Sequence, residues 1–239
     1  VGSGENISDA QALSQITVLN QDFRRMMNTP GFNNNPVGAD VEVQFCMAQR
    51  KPNGTATNGI DRVQQSVSQF TSIGATETMK ANTIWDPTKY LNFWVVRFQE
   101  PFPGFGGGVL LGYGQFPSFS GLSDLGSNID DANTDGVAMS FRAFGSSDIA
   151  AGNYYSDIDK GRTTTHELGH FFGLRHIWGD SNCGTDYCAD TPTAHEENYG
   201  CPTVVNCSGN GNEMVENYMD YTDDACMNIF TQDQKTRIL

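Results

Sequence analysis

The sequence predicts an α+β fold in which helices and strands occupy the first 172 residues and mostly irregular chain follows. Three observations support this: two segments with helical periodicity, several short apolar runs typical of strands, and a Gly/Asn/Asp-rich end that holds five of the six cysteines. A chain of 239 residues can form one domain with a sizeable core. We therefore expect a single domain, residues 1–239, with an upper subdomain (1–172) and a lower one (173–239).

The first helix is expected within residues 8–27. Asp9 stands at its start, and the apolar residues that follow are three or four apart, which is the spacing of one helix face. These residues are Leu13, Ile16, Leu19, Phe23 and Met26.

Four segments after this helix predict strands. Residues 41–45 alternate between apolar and polar side chains, as a half-buried strand does. Residues 90–98 are apolar and aromatic enough for a central strand. Residues 109–113 and 137–141 predict two more, and the glycines and prolines around 109–113 favour an edge position for that strand.

Two further helices are predicted later in the chain. Residues 162–172 should form a helix with Leu168 and Phe172 on its core side. Thr231 and Gln234 resemble a capping box, which indicates a short final helix.

The most specific motif is H-E-x-x-H-x-x-G-x-x-H at residues 166–176, and it contains three of the four histidines in the chain. On a helix, His166 and His170 project from the same face one turn apart, so their imidazoles can share one Zn²⁺. Gly173 allows the backbone to leave the helix with a positive φ. The turn then brings His176 back as a third ligand.

Glu167 indicates a catalytic rather than a structural metal site. It is rotated by about 100° from His166 on the helix, so it stands beside the metal instead of binding it. Three protein ligands leave a fourth position for water, and Glu167 can take a proton from that water as a general base. An amphipathic helix that happens to carry histidines on its polar face would explain neither Glu167 nor His176. The motif therefore predicts a zinc-dependent hydrolase.

Composition limits the partners of the protein. The net charge of −14 argues against binding to nucleic acid or to an anionic membrane, and no apolar stretch is long enough to span a bilayer. Residues 1–4 show no signal peptide, as expected of a secreted enzyme after removal of signal and propeptide. The acidic balance is compatible with bound calcium, although it most often only keeps a protein soluble. We expect a monomer, but no motif fixes the oligomeric state.

The cysteines predict disulfide bonds. Cys46 stands alone, whereas the other five lie in the last quarter of the chain. These five are Cys183, Cys188, Cys201, Cys207 and Cys226. Dense cysteines in a loop-rich segment are typical of a disulfide-stapled subdomain in an oxidising compartment. A second, structural zinc site is the alternative, but no C-x₂-C pair occurs and only His195 is left as a histidine ligand.

A second motif, Glu-Asn-Tyr-Met-Asp-Tyr, follows the histidines at residues 216–221. Together with the elongated zinc motif, this methionine-containing turn resembles the metzincin clan of metallopeptidases. Residues 217–226, and residues 189–192 leading to 199–202, resemble the pappalysin family within that clan. After His176 the chain continues Ile-Trp-Gly-Asp, which differs from astacins, adamalysins and matrixins.

The resemblance implies a fold and an activity. The fold would be metzincin-like, with a twisted, mostly parallel sheet, a backing helix and the zinc helix in an α/β-type upper subdomain, above an irregular disulfide-stapled lower subdomain. The activity would be that of a secreted zinc metalloendopeptidase, in which Glu167 assists the attack of zinc-bound water on protein or peptide substrates. Met219 would form an apolar floor beneath the metal, and Tyr221 would stabilise the oxyanion.

The resemblance also implies a disulfide pattern. The implied pairs are Cys188–Cys207 and Cys201–Cys226. Cys46 and Cys183 then have no assigned partner, so they either pair with each other or stay free.

Calcium is implied by the same resemblance. Pappalysin-like enzymes can carry Ca²⁺ in the loop after the zinc helix, where Asp190 and Glu197 are the matching acidic residues, and hard oxygen ligands on such a loop suit this ion. The alternative is that both are ordinary solvated carboxylates.

Specificity is predicted from two carboxylates after the methionine turn, Asp223 and Asp224. In metzincins this segment lines the pocket for the residue that follows the scissile bond. A carboxylate at the base of that pocket would bind Arg through two hydrogen bonds, so we hypothesise cleavage before Arg or Lys. The substrate would lie extended along the edge strand at 109–113.

Two other functions stay open at this point. The protein could hydrolyse a non-peptide bond with the same zinc site, or it could be a calcium-dependent adhesin or binding module in which the zinc motif is incidental. Glu167 and the open fourth ligand position argue against the binding module. They do not separate a peptidase from another zinc hydrolase.

Overall fold

A computed structural model describes residues 4–104, 106–118 and 131–239 of the protein. In chain order, its elements are α1 (Asp9–Phe23), α2 (Ile73–Thr83), β1 (Phe93–Val96), β2 (Gly112–Gly114), β3 (Val137–Ser140), α3 (Arg162–Phe171) and α4 (Gln232–Ile238). This mixture confirms the α+β class. None of the described helices combines the length and the apolar character that a membrane-spanning segment needs.

The strands form one sheet in the order β1–β3–β2. β1 runs parallel to β3, and β2 runs antiparallel to it with Tyr113 opposite Ala138. β1 and β3 lie inside the predicted segments 90–98 and 137–141, and β2 overlaps the predicted segment 109–113. Among the described strands β2 pairs on one side only, so it is an edge strand as predicted.

The predicted strand at residues 41–45 is not a strand. Its hydrogen bonds go to the first helix instead of to the sheet, and Glu42 in its middle has a φ of +68°, which lies outside the strand region. The N–H of Val41 donates to the carbonyl of Phe23 (2.8 Å), and the N–H of Phe45 donates to the side chain of Asn20 (2.9 Å). The alternating pattern therefore reflects one face packed on the core without a neighbouring strand.

The core lies between α1, α3 and the sheet. Phe23 of α1, Met139 of β3 and Leu168 of α3 are fully buried in one cluster. Each such side chain contributes about 1.5–3 kcal/mol by leaving water. α1 begins after Ser8, whose hydroxyl accepts the N–H of Gln11. The packing of this core fixes the position of α3 under the sheet.

The helix α2 is not predicted by the sequence pattern. Only Thr76, Met79 and Lys80 of this helix are buried, so its apolar periodicity is weak. Ser72 caps its first turn by accepting the N–H of Ala75.

The short helix α4 has the predicted capping box. Thr231 accepts the N–H of Gln234 (3.2 Å), and the Gln234 side chain accepts the N–H of Thr231 (2.9 Å). Two residues fixed in this reciprocal way are enough to start a helix of only two turns.

Two disulfides join the lower part of the chain, Cys183–Cys207 and Cys201–Cys226. The second pair is the one that the family resemblance implies. The first corrects the predicted Cys188–Cys207 pair, because Cys188 is a buried free thiol. Cys46 is also free, and it is exposed.

Local hydrogen bonds explain why Cys207 meets Cys183. The N–H of Cys207 donates to the carbonyl of Thr193 (3.0 Å). Asn182, the neighbour of Cys183, donates its side-chain amide to the carbonyl of His195 (3.2 Å). Both cysteines therefore converge on the same short segment.

Candidate functional site

Three histidine side chains converge at the end of α3. His166 and His170 lie one turn apart on the helix, and His176 follows Gly173, whose φ is +93°. One nitrogen from each histidine lies within 4.8 Å of those of the other two. Nε2 of His170 is 3.1 Å from Nε2 of His176. The three predicted ligands are thus brought together.

The second ring nitrogen of each histidine is held by a protein oxygen. Nδ1 of His166 is 2.7 Å from the carbonyl of Tyr218, Nδ1 of His170 is 2.8 Å from the carbonyl of Leu174, and Nδ1 of His176 is 2.5 Å from the carboxylate of Asp180. Whenever the imidazole is neutral, such an acceptor favours the proton on Nδ1 and leaves Nε2 free to bind a metal. The donor set therefore fits a catalytic Zn²⁺ ion.

Burial supports the same protonation state. It lowers the pKa of His166 well below the ordinary value, and it lowers the pKa of His170 to about 3, with the neighbouring histidines adding to both effects. A histidine must be neutral to bind a metal, so these two rings are ready to do so near neutral pH.

Glu167 follows His166 in the chain; it is buried and accepts a hydrogen bond from the backbone N–H of Gly114 at 3.0 Å. Burial raises the pKa of its carboxyl to about 8, and the Gly114 hydrogen bond opposes this rise. A carboxyl with a pKa near neutrality can both take and return a proton.

The edge strand β2 comes very close to α3 at Gly114. A Cβ atom on Gly114 would clash with the backbone carbonyl of Glu167, so only glycine fits this position. In an antiparallel pair, backbone groups alternate between the partner strand and the free side. Gly114 donates away from β3, so Gly112, two residues earlier, also directs its backbone groups to the free side.

Met219 lies directly under the metal-binding helix. It is fully buried, and a Cβ atom on Gly169 would clash with its sulfur atom. The glycine inside the histidine motif therefore lets the helix rest on Met219. The N–H of Ile177 donates to the carbonyl of Met219 (3.2 Å), which ties the segment after His176 to the same turn.

Tyr221 lies against the histidines with its side chain partly exposed. The centre of its ring is 5.0 Å from that of His176 and 5.5 Å from that of His166. Trp178 stacks on His176 at 4.3 Å and meets Tyr221 edge-on at 5.1 Å. Burial and the nearby Glu167 charge raise the pKa of Tyr221, so its phenol keeps its proton.

Asp224 does not line the predicted specificity pocket. Its side chain is buried, and Oδ2 accepts the backbone N–H groups of Lys160 (2.7 Å) and Arg162 (3.2 Å) at the start of α3. A carboxylate used in this way cannot bind a substrate side chain. Asp223 is only partly buried, and its N–H donates to the carbonyl of Gly200 (3.0 Å).

The two predicted calcium ligands do not meet in a carboxylate cluster. Asp190 accepts the N–H of Asp233 in the first turn of α4 (3.0 Å), whereas Glu197 is exposed and faces Tyr199 and Tyr221. Within the described residues, neither carboxylate belongs to a group of three or more potential metal ligands. Calcium binding stays a prediction.

Several residues of the site escape analysis of the sequence alone. Asp180 follows His176 by four residues and holds its Nδ1, and the acidic residue after the third histidine is the signal that could reveal it. Gly114 is signalled by its place in a glycine-containing strand, because glycine there often marks a close backbone approach. Nothing local in the sequence indicates that Asp224 contacts α3.

Comparison with protein families gives one match over the site. Residues 128–239 match the family described as "Pregnancy-associated plasma protein-A". Curated relatives named "Extracellular metalloprotease" include one from Arthroderma otae, 42% identical over 90 residues (36% of this chain and 33% of the relative). Another, from Verticillium alfalfae, is 40% identical over 131 residues (54% and 44%). The match thus spans about a third to under a half of these relatives.

Solved structures cover far more of the chain. Mature mirolysin of Tannerella forsythia, in complex with a cleaved peptide, is 40% identical, and the match covers 100% of this chain and 86% of that one with a TM-score of 0.81. A promirolysin structure from the same organism is 41% identical over 98% of this chain and 74% of that one, with a TM-score of 0.80.

Proposed function

Because the chain belongs to the pappalysin family of metallopeptidases, we propose that it is a secreted zinc metalloendopeptidase. The observation that carries this proposal is the convergence of one ring nitrogen from each of three histidines, with the buried carboxyl of Glu167 on the same helix. A structural metal site would not need a buried base next to it.

His166, His170 and His176 would hold the zinc ion. When bound, zinc supplies a Lewis acid that activates water and polarises the scissile carbonyl. The protein fixes the orientation of all three imidazoles before a metal binds, because each Nδ1 is held by a protein oxygen. These oxygens are the carbonyls of Tyr218 and Leu174 and the carboxylate of Asp180.

Glu167 moves the proton. Its carboxylate takes a proton from the attacking water and then delivers it to the leaving amine, so the base of the first step is the acid of the second. The hydrogen bond from Gly114 uses Oε2 and holds the carboxylate in one orientation. Oε1 is left for the proton transfer.

Tyr221 stabilises the charge that develops on the substrate oxygen. Its ring lies beside His166 and His176, and its raised pKa keeps the phenol protonated as a hydrogen-bond donor. Trp178 supports the ring from the side.

The substrate binds as an extended peptide along β2. The backbone groups of Gly112 on the free side of this strand can pair with a peptide chain in the manner of an added strand. Gly114 links that strand to Glu167, so a peptide bound there runs past the base. This placement favours a peptide bond as the substrate over another hydrolysable bond.

The location of the protein, its domain organisation and a calcium site are each supported by a separate feature. The two disulfides and the named location of the curated relatives support an extracellular enzyme. α3 comes from residues 1–172, whereas His176 and Met219 come from residues 173–239, which supports a single catalytic domain with its site between two subdomains.

The proposal of a calcium site at Asp190 is supported by its Oδ1 atom, which is buried without a hydrogen-bond partner.

A preference for Arg or Lys after the scissile bond now depends on Asp223. Its carboxylate is partly exposed just beyond the methionine turn, and the acidic charge of the whole chain favours cationic substrates. Asp223→Asn should weaken the preference in a peptide library. An unchanged preference would remove Asp223 as its source.

Digestion of casein tests the proposed function. We expect degradation that stops with a zinc chelator and returns when Zn²⁺ is added. If zinc-loaded protein leaves casein and denatured protein substrates intact but hydrolyses small esters or amides, the enzyme acts on a non-peptide bond. If it hydrolyses none of them, the binding-module alternative is favoured.

A further inference from the structure

The metal-binding helix lacks a local cap at its start. The residue before α3 is Gly161, which has a φ of +85° and offers no side chain to the first turn. The first N–H groups of a helix have no partner inside it and need acceptors elsewhere. In this protein the acceptor comes from a distant segment, the loop that follows the methionine turn.

Asp224 supplies that acceptor. Its Oδ2 receives the N–H of Lys160 and the N–H of Arg162, which lie on either side of Gly161. Its own N–H donates to the carbonyl of Asp157 (2.9 Å), so the loop is fixed at this point. Asp224 therefore connects the start of α3 to the segment that carries Met219 and Tyr221.

A second buried carboxylate holds the same turn from the opposite element. Asp22 of α1 lies 3.2 Å from the guanidinium of Arg162, and both side chains are at most 2% exposed. Its other oxygen accepts the hydroxyl of Thr165 at 2.7 Å. Thr165 is the neighbour of His166, so this contact acts one residue away from the first metal ligand.

Burying the carboxylates of Asp22 and Asp224 costs desolvation free energy. Ion pairs buried this deeply are often no more stabilising than apolar side chains of the same volume, because each charge loses its hydration. Asp22 forms such an ion pair with Arg162, and Asp224 also interacts electrostatically with Arg162, so neither carboxylate is a good candidate for simple stabilisation. They do, however, fix the direction and rotation of a helix very tightly.

We propose that Asp224 and Asp22 are positioning residues of the metal site. From two sides they hold the first turn of α3, and thereby they set where His166 and Glu167 stand relative to His176 and the methionine turn. This inference rests on the proposed zinc function. It assigns to Asp224 a role in metal binding in place of substrate recognition.

Zinc affinity of the metal-free protein, measured by competition with a chelator, tests the proposal. Asp224→Ala removes both backbone acceptors and should weaken zinc binding by on the order of 10-fold, as the loss of outer contacts does in other zinc sites. Asp224→Asn keeps an acceptor oxygen and should restore affinity to within about 3-fold. The visible spectrum of the Co²⁺-loaded protein should change in the Ala variant and not in the Asn variant.

Asp22→Asn is the second variant, in case Asp224→Ala does not fold. It keeps an acceptor for Thr165 but removes the ion pair with Arg162, and we expect weaker zinc binding with a changed Co²⁺ spectrum. Asp40→Asn is the matched control, because Asp40 makes an exposed ion pair with Arg24 just after α1. It should alter neither quantity.

Variants at Asp22 and Asp224 that lower the melting temperature of the metal-free protein, but bind zinc and Co²⁺ like wild type, would overturn the proposal and leave a purely structural role. Wild-type protein that binds no zinc in the same titration would overturn the proposed function itself, and this inference with it.

Discussion

Oε2 of Glu167 lies 3.0 Å from the backbone nitrogen of Gly114, so the base on the metal-binding helix is hydrogen-bonded to the edge strand of the sheet. This contact connects the alignment of the substrate with the transfer of the proton. The strand that would align a peptide also fixes the carboxylate that would move the proton.

Glu167→Gln separates proton transfer from positioning. The amide oxygen can still accept the Gly114 N–H, but the side chain can no longer take a proton. We expect turnover to fall by at least ~100-fold with zinc content and melting temperature close to wild type. Glu167→Ala should also lose at least ~100-fold, and zinc should stay bound in both. Activity within a few-fold of wild type in either variant would contradict the assignment.

Gly169→Ala tests the contact between the metal helix and Met219. Alanine improves helix propensity by about 1 kcal/mol, but here its methyl group would press on the Met219 sulfur, and overpacking costs about 1–3 kcal/mol. We expect a less stable protein with weaker zinc binding. Gly74→Ala is the matched control, because Gly74 is also helical and has open space around it. Equal effects of the two substitutions on urea unfolding would show that the Met219 contact does not matter.

The pH dependence of stability tests the burial of Asp224. Burial raises the pKa of this carboxyl to about 6 from an ordinary value of 3.8, so the folded protein holds the proton more tightly than the unfolded chain does. Stability from this group is therefore present below pH 4 and is lost as the pH rises through about 6, by about 3 kcal/mol in all.

Asp224→Asn removes this titration. Urea unfolding of metal-free protein at pH 4 and pH 7 should show that the variant gains stability relative to wild type as the pH rises. A difference between the two proteins that is the same at both pH values would mean that folding does not raise the pKa of Asp224.

The cysteines offer a direct test of the disulfide pattern. Native protein should react with a thiol reagent at the exposed Cys46 and not at Cys188, whose pKa burial raises to about 12. Denaturation without reductant should expose Cys188 as the second reactive thiol. Peptide mapping should recover Cys183 joined to Cys207. A Cys188–Cys207 peptide would show that the family-implied pairing is correct after all.

The sequence predicts those parts of the site whose residues lie close together in the chain. His166 and His170 are one helical turn apart, and Gly173 provides the positive φ that returns His176, so one short motif determines all three. The capping box of α4 is local in the same sense.

Long-range contacts explain what sequence analysis misses. Asp224 looks like a pocket residue because it follows the methionine turn, but the structure uses it 62 residues away at Arg162. The partner of Cys207 likewise depends on where Thr193 and Asn182 bring the chain. Residues 41–45 are another example. Their alternation of apolar and polar side chains shows that one face is buried, but it does not show which segment their backbone groups bind.

The central claim is that this site hydrolyses peptide bonds, and the most direct measurement is mass-spectrometric mapping of cuts in a proteome-derived peptide library. Zinc-loaded wild-type protein is compared with Glu167→Ala protein of equal zinc content. We predict many internal cuts with wild type, enriched before Arg or Lys, and their disappearance in the variant. Zinc-loaded wild type that makes no cuts, or cuts that persist in the variant, would contradict the account.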